Sequence, residues 1–454
     1  MSTWVKLENL SESSRTKLIA DLTLAPHVDR RFCFADPEPF VMYKLTESNS
    51  ELFVPKFSRN IIAAPTIQNS DNVMKPGTCF VGTLRPTQLE PFHLAINAIK
   101  TRGGGIMSLP CGFGKTPLAL AIALELQVKT IIVVHRDILL NQWIKAISDF
   151  TTIPVDDIGK IGNGDVYIPE SCQIIIAMVQ TLIRQPPTII EQLSQFQLSI
   201  FDEVDVFGSF EFSKIFRCML NPTFTLGMSA TPTRRDGCHK MFQMFLGPVI
   251  FSGKKMGGGV EQAKYKNTKL VHVPYISPLP WSDQFNYKGG PLVNKMYIEL
   301  MADSARMIKI ITTIRNVMTE TPSRHMLVLT ARREQVSQIA AYLEHPTVLP
   351  DNIRNGGIGQ YMGGTSATRR IEIFKCRIIV ATYQSASVGM NIPTLDTLFI
   401  TLPVREVEQA CGRIGRGDVV NPLLILDLVD VKSPYFTKWS EYRKSIYKKL
   451  GIPI

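Results

Sequence analysis

The chain lacks any long apolar run: no stretch approaches the roughly 18 consecutive apolar residues of a membrane-spanning helix, which excludes a span and a membrane partner of that kind. The stretch MSTWVKLENLSESSR has no charged segment leading into an apolar one, so no secretory signal is expected. Of the eight cysteines, no two form a CxxC pair, so neither a zinc ribbon nor a disulfide framework is suggested and reduced thiols are expected. Internal repeats and low-complexity tracts are also missing. Acidic residues are in short supply, with 39 Asp plus Glu against 50 Lys plus Arg and a formal net charge of +11. That surplus suits a polyanionic partner such as nucleic acid, and equally a soluble protein that is merely basic. With 45% hydrophobic and 20% charged residues, the composition is that of a folded protein.

What is present is a series of short, fully apolar runs separated by helix-length segments. They are KTIIVVH (129–135), CQIIIAM (172–178), LSIFDEVD (198–205) and TFTLGMSA (223–230), then HMLVLT (325–330), CRIIVAT (376–382), DTLFITL (396–402) and PLLILDL (422–428). Runs this β-branched and non-alternating suit strands buried on both faces of parallel sheets, so the fold class expected is α/β. Two groups of runs imply two domains, 81–252 and 292–454, joined by a Gly-, Lys- and Pro-containing linker at 253–291. Residues 1–80, with aromatic runs such as ELFVPKF (51–57), read as a small β-leaning accessory domain.

The strongest local signal is PCGFGKT (110–116). A phosphate site needs a Cβ-free loop whose backbone N–H groups converge on the anion, then a helix N-terminus and a lysine. Gly112 and Gly114 supply the loop around Phe113, Lys115 the charge, and Thr116 a hydroxyl for Mg²⁺. Next, FDEVD (201–205) ends an apolar strand. There Asp202 suits a metal ion and Glu203 an attacking water, with Asp205 as a coupling residue, although acidic strand ends are also common solvated caps. Finally, QACGRIGRG (409–417) puts Arg413 and Arg416 three residues apart, as charge-stabilising guanidiniums or as surface arginines paired with carboxylates.

In order, LRPTQ (84–88), PCGFGKT, VVHRDILLNQW (133–143), VQTL (179–182), FDEVD, MSATP (228–232), VATYQSASVGMNIP (380–393) and QACGRIGR resemble the motifs of superfamily 2 helicases. The resemblance implies two tandem RecA-like domains with ATP and Mg²⁺ in the cleft and nucleic acid across both. It also implies roles. Arg85 and Gln88 recognise adenine; Gly112, Phe113, Gly114, Lys115 and Thr116 bind the phosphates; Thr116 and Asp202 hold the metal. Glu203 serves the water, and Gln409, Arg413 and Arg416 act from the second domain. Asp205, Ser229, Thr231 and Gly389 couple hydrolysis to movement, while Arg136, Thr181 and Thr382 contact strand phosphates. Thr87, Asn391 and His135 depart from the common pattern; for His135 the expectation is packing at a strand end.

Within the superfamily the chain is similar to the phage and large-DNA-virus branch related to the UvsW and XPB groups, nearest to the branch-migration helicases of T-five-type phages. That resemblance implies a viral non-structural protein in the infected cell's cytoplasm. It would act on branched, forked or duplex DNA without sequence preference, alongside phage recombination or replication proteins. A transcription-linked, RNA-directed motor is the alternative. A scaffold without catalysis is disfavoured because Lys115, Asp202, Glu203 and Arg416 are all present, and the motor part of a restriction nuclease because residues 1–80 show no paired-carboxylate-plus-lysine cluster. In the C-terminal segment, Lys432, Lys438, Arg443, Lys444, Lys448 and Lys449 interleave with Tyr435, Trp439, Tyr442 and Tyr447. The aromatics follow helical spacing and are expected to pack, and some lysines to meet phosphate.

Overall fold

The computed structural model describes every residue except 1, 29–36, 47, 49, 59–71, 111, 219–221, 235, 254–263, 279–284, 286–290, 388, 389 and 391. The chain divides into two compact units, Met1–Met256 and Gly257–Ile454.

The first unit is built on one sheet in the order Val249–Ser252, Gly104–Ser108, Phe224–Ser229, Leu198–Asp202, Thr130–Val134, Ile174–Met178, Ile158–Gly162 and Asp165–Tyr167. All pairings are parallel except the last, an antiparallel hairpin. The strands at Thr130, Leu198 and Phe224 are buried at every position, as expected for a sheet covered on both faces. Gly104–Ser108 carries two glycines and no run of branched residues, so its pattern hides it. The packing explains the composition, because a Cβ on Gly104 would fall 2.0 Å from Thr225 Oγ1 and 2.7 Å from the Leu246 carbonyl. Helix Lys115–Leu126 buries eight of its residues and is apolar all round, the signature of a central helix.

The N-terminal strands Ser2–Lys6, Glu51–Pro55 and Lys44–Leu45 form a small antiparallel sheet. Its residues Leu52 and Val54, with Leu22 and Met42, belong to the same apolar cluster as Ile106, Phe201 and Phe207 of the large sheet and its helices. The accessory segment thus shares a core with the first unit.

The second unit holds a six-stranded, all-parallel sheet: Lys269–Tyr275, Leu424–Asp430, Thr397–Ile400, Met326–Thr330, Ile378–Thr382 and Ile358–Tyr361. Apolar clusters cover it on both faces. The linker expected at 253–291 is corrected here, since residues 269–275 pair in register with Leu424–Asp430. Its lysine, histidine and Pro274 disguise a strand, but an edge position tolerates all three. Among the described residues no helix is long and apolar enough to cross a membrane.

Candidate active site

Strand Gly104–Ser108 leads through loop 109–114 into helix Lys115–Leu126, so the loop lies at the carboxyl end of the sheet. Gly112 and Gly114 have left-handed φ values of 80° and 84°, a conformation costly for any residue with a Cβ. At Gly114 space is short as well: a Cβ would stand 2.6 Å from Gln88 Nε2. That amide donates to the carbonyls of Phe113 and Gly114, at 3.0 Å each, and Gln88 Oε1 accepts from the Arg85 N–H at 2.8 Å. Gln88 is 2% exposed, so both of its amide hydrogens serve the loop instead of facing solvent, where a base would meet them. The exposed Arg85 donates from Nη1 to the Gly112 carbonyl at 3.4 Å. Phe113 leans its ring on Phe251, with centroids 6.5 Å apart. Lys115 and Thr116 open the helix half-buried, where first-turn N–H groups lack intrahelical partners.

Strand Leu198–Asp202 delivers the two carboxylates. Burial pushes the Asp202 carboxyl up, opposed by the Lys115 charge and by hydrogen bonds from Trp143 and the Glu203 backbone. The Trp143 indole Nε1 donates to Asp202 Oδ2 at 3.0 Å. Glu203 sits at φ 54°, ψ 56°, a left-handed position rare outside glycine and commonest at functional sites. His135 Nε2 lies 3.6 Å from Glu203 Oε2. Burial, then the Arg136 charge, lowers that imidazole to about 4, so it faces Glu203 neutral. His135 is buried, as packing requires, but its contact with Glu203 and the Trp143 bond have no local sequence signal.

Asp205 is likewise raised by burial and pulled down by Ser229 and Lys115. Ser229 Oγ donates to Asp205 Oδ1 at 2.5 Å and accepts from the Thr231 N–H at 3.0 Å. Arg234, paired with Asp236, donates to the Asp205 carbonyl at 2.8 Å. One network therefore joins three of the four residues expected to couple; Gly389 lies outside the described residues, as does Asn391. Arg136 immediately precedes helix Asp137–Phe150, and Thr181 lies half-buried in helix Val179–Leu182.

In the second unit, Arg413 Nη1 and Arg416 Nη1 both donate to the Met390 carbonyl, at 2.9 and 3.2 Å. Gln409 is exposed on helix Glu408–Cys411. Thr382 differs from its expected role, since its hydroxyl is buried, donates to Ser385 Oγ at 2.9 Å and accepts the Ser385 N–H. It caps the short helix that follows.

Among the described residues no group of three or more His, Cys, Asp or Glu forms a metal cage. The Thr116 hydroxyl and Asp202 carboxylate are hard oxygen donors of the sparse kind that suits Mg²⁺, which takes one or two protein oxygens together with phosphate.

Residues 82–234 match the family model described as type III restriction enzyme, res subunit. A protein of Acanthamoeba polyphaga mimivirus, named as an ATP-dependent RNA helicase, is 27% identical over 97% of this chain and 83% of its own length. A protein of Sulfurisphaera tokodaii named as an XPB-type DNA 3'-5' translocase is 34% identical over 39% of this chain and 38% of its own. In fold, the chain is similar to an HsdR-subunit fragment of a type I restriction enzyme from Vibrio vulnificus, with a TM-score of 0.56 and 16% identity over 82% of this chain and 68% of that one. The two sheets have the fold of tandem RecA-like domains, and residues 82–234 are similar to the type III restriction enzyme res-subunit family.

Proposed function

We propose that the protein is an ATP-driven motor that moves on duplex or branched DNA, remodelling forks or Holliday junctions during viral recombination, replication or repair. The observation that carries the reading is the convergence, at the carboxyl edge of one parallel sheet, of a lysine-headed glycine loop and two strand-end carboxylates. That edge is where open α/β sheets bind ligands. Lys115 and the loop N–H groups hold the triphosphate, and Thr116 and Asp202 hold Mg²⁺, which when bound neutralises phosphate charge. Glu203 orients the attacking water, Arg413 and Arg416 stabilise the charge that develops on the phosphoryl group, and the Asp205–Ser229–Thr231 network relays the change. Arg136, Thr181 and part of the +11 surplus meet strand phosphates, with residues 1–80 adding DNA contact. The protein acts as a non-structural component in the cytoplasm of an infected cell.

The test is ATP hydrolysis and strand separation on a panel of Holliday junction, fork, flayed duplex and RNA–DNA hybrid. Stimulation by junction or fork DNA is expected, and an ATPase indifferent to every DNA would end the proposal. A second reading, an RNA-directed motor linked to transcription, is favoured by the name of the mimivirus relative. Stimulation by RNA alone selects it.

A further inference from the structure

Helix Asp137–Phe150 carries a residue that the reading above leaves idle. Trp143 is 1% exposed and ranks among the largest fully buried side chains of the chain. A buried indole needs an acceptor for its N–H, and a backbone carbonyl would serve. Instead it donates at 3.0 Å to Asp202 Oδ2, a carboxylate that is itself 8% exposed. A neutral donor on a buried carboxylate fixes its rotamer and offsets part of its burial without neutralising it.

We infer that Trp143 is a positioning residue for Asp202, holding one carboxylate oxygen so that the group is oriented toward a divalent cation before nucleotide arrives. The inference rests on the proposed role of Asp202 at that cation. The location of Trp143 gives it a further consequence. Its helix packs on helix Lys115–Leu126 and on strand Ile174–Met178, and it begins next to Arg136, the expected strand-phosphate contact. One rigid element thus spans the expected nucleic-acid contact and the carboxylate, and a displacement at its start reaches Asp202 through the indole.

The experiment uses the full chain and W143F, which keeps an aromatic ring and removes the donor. ADP binding is titrated calorimetrically at a series of Mg²⁺ concentrations, beside D202N and with melting temperatures recorded. Outer-shell partners of metal ligands are commonly worth 10–100-fold in metal affinity. W143F should raise the Mg²⁺ half-saturation about tenfold while leaving Mg²⁺-free ADP binding within twofold. A merely structural Trp143 would weaken both alike, and that result overturns the inference. An unchanged half-saturation in W143F with a raised one in D202N also overturns it, while leaving the reading of Asp202 standing. Unchanged values in both variants sink the metal role of Asp202 and the inference with it. Should W143F fail to fold, a chain with Trp4, Trp281 and Trp439 replaced by phenylalanine keeps Trp143 as its single indole. Its emission should then change with Mg²⁺ and ADP together and not with ADP alone. An emission indifferent to Mg²⁺ counts against the inference.

Discussion

Gln88 Nε2 lies 3.0 Å from the Gly114 carbonyl, and a Cβ added to Gly114 would stand 2.6 Å from that same nitrogen. The residue expected to read the base is thus the one that fixes the loop's backbone and sets its tolerance for side chains. Gly114→Ala should suffer twice, from a left-handed φ that costs about 1–2 kcal/mol and from the collision with Gln88. Nucleotide affinity is expected to fall tenfold or more, as about 1.4 kcal/mol or more of binding is lost. Removing the obstacle in Gly114→Ala/Gln88→Ala relieves the collision but not the φ strain. The two changes should then couple by about 0.5–3 kcal/mol, measured by titration with a fluorescent nucleotide. Strict additivity would mean the two do not meet.

The charge on Lys115 reaches both Asp202 and Asp205, so its loss acts on the phosphates and on the carboxylates together. Lys115→Ala is expected to lower ATP turnover by at least about 10²–10³, the scale of one preorganised charge-stabilising group. Binding to junction DNA should stay within about twofold, because the strand-phosphate contacts are assigned to other residues, Arg136 and Thr181 among them. Phosphate release and fluorescence anisotropy on one preparation decide it, and parallel loss of both would place Lys115 in the DNA surface.

Legibility followed pattern strength. The eight apolar runs all became strands of the two sheets, because burial on both faces writes itself into consecutive residues. Gly104–Ser108, Ile158–Gly162 and Lys269–Tyr275 escaped, since glycine against a close neighbour or lysine and proline on an edge erase the apolar signal. The glycine loop, strand-end acids and paired arginines were visible as local spacings. Trp143 on Asp202 and His135 on Glu203 were not, because each contact joins segments distant in sequence whose proximity exists only once the sheet has formed.

The shared core of the N-terminal segment makes it a stability element for the first unit. Leu52 is fully buried among residues of the large sheet's cluster. Leu52→Ala should destabilise by about 2–5 kcal/mol and lower the unfolding midpoint of the first unit as a whole. Urea melts of the residue 1–256 unit's ATP-site fluorescence and its far-UV signal should move together. A midpoint shift confined to a minor early transition would mean that the segment folds by itself.

Lys56 carries a pH signature. Burial lowers its ammonium to about 8 from 10.5, although Nζ donates to the Thr223 carbonyl at 2.9 Å. The folded value lies below the unfolded one, so the unfolded chain binds more protons between pH 8 and pH 10.5, and stability rises with pH through that window. The cost is present in full below pH 8 and amounts to about 3 kcal/mol at 1.36 kcal/mol per pKa. Lys56→Met removes it and forfeits one hydrogen bond of about 1 kcal/mol. The variant should be the more stable at pH 7 and lose that advantage by pH 10, as read from paired melts. An advantage independent of pH would be simple apolar packing.

Basic residues of the C-terminal helix Phe436–Lys449 divide into two kinds that sequence alone ran together. Arg443 is 1% exposed, donating from Nε to Asp427 Oδ2 at 2.9 Å and from Nη1 to the Val404 carbonyl at 2.8 Å, while the Tyr447 hydroxyl donates to the same carboxylate at 3.0 Å. It is a core residue and not part of the surface charge. Arg443→Met leaves Asp427 charged and buried, which costs about 3–5 kcal/mol, and adding Asp427→Leu should recover most of that. Lys448 is exposed. If Lys448 meets a phosphate, Lys448→Ala lowers the slope of log affinity against log salt by about 0.9 on duplex DNA, with the melting point unmoved. Arg443→Met should do the reverse, moving the melting point while leaving the salt slope of the folded fraction unchanged. Salt titrations and melts of the two variants side by side separate charge that holds the helix down from charge that meets nucleic acid.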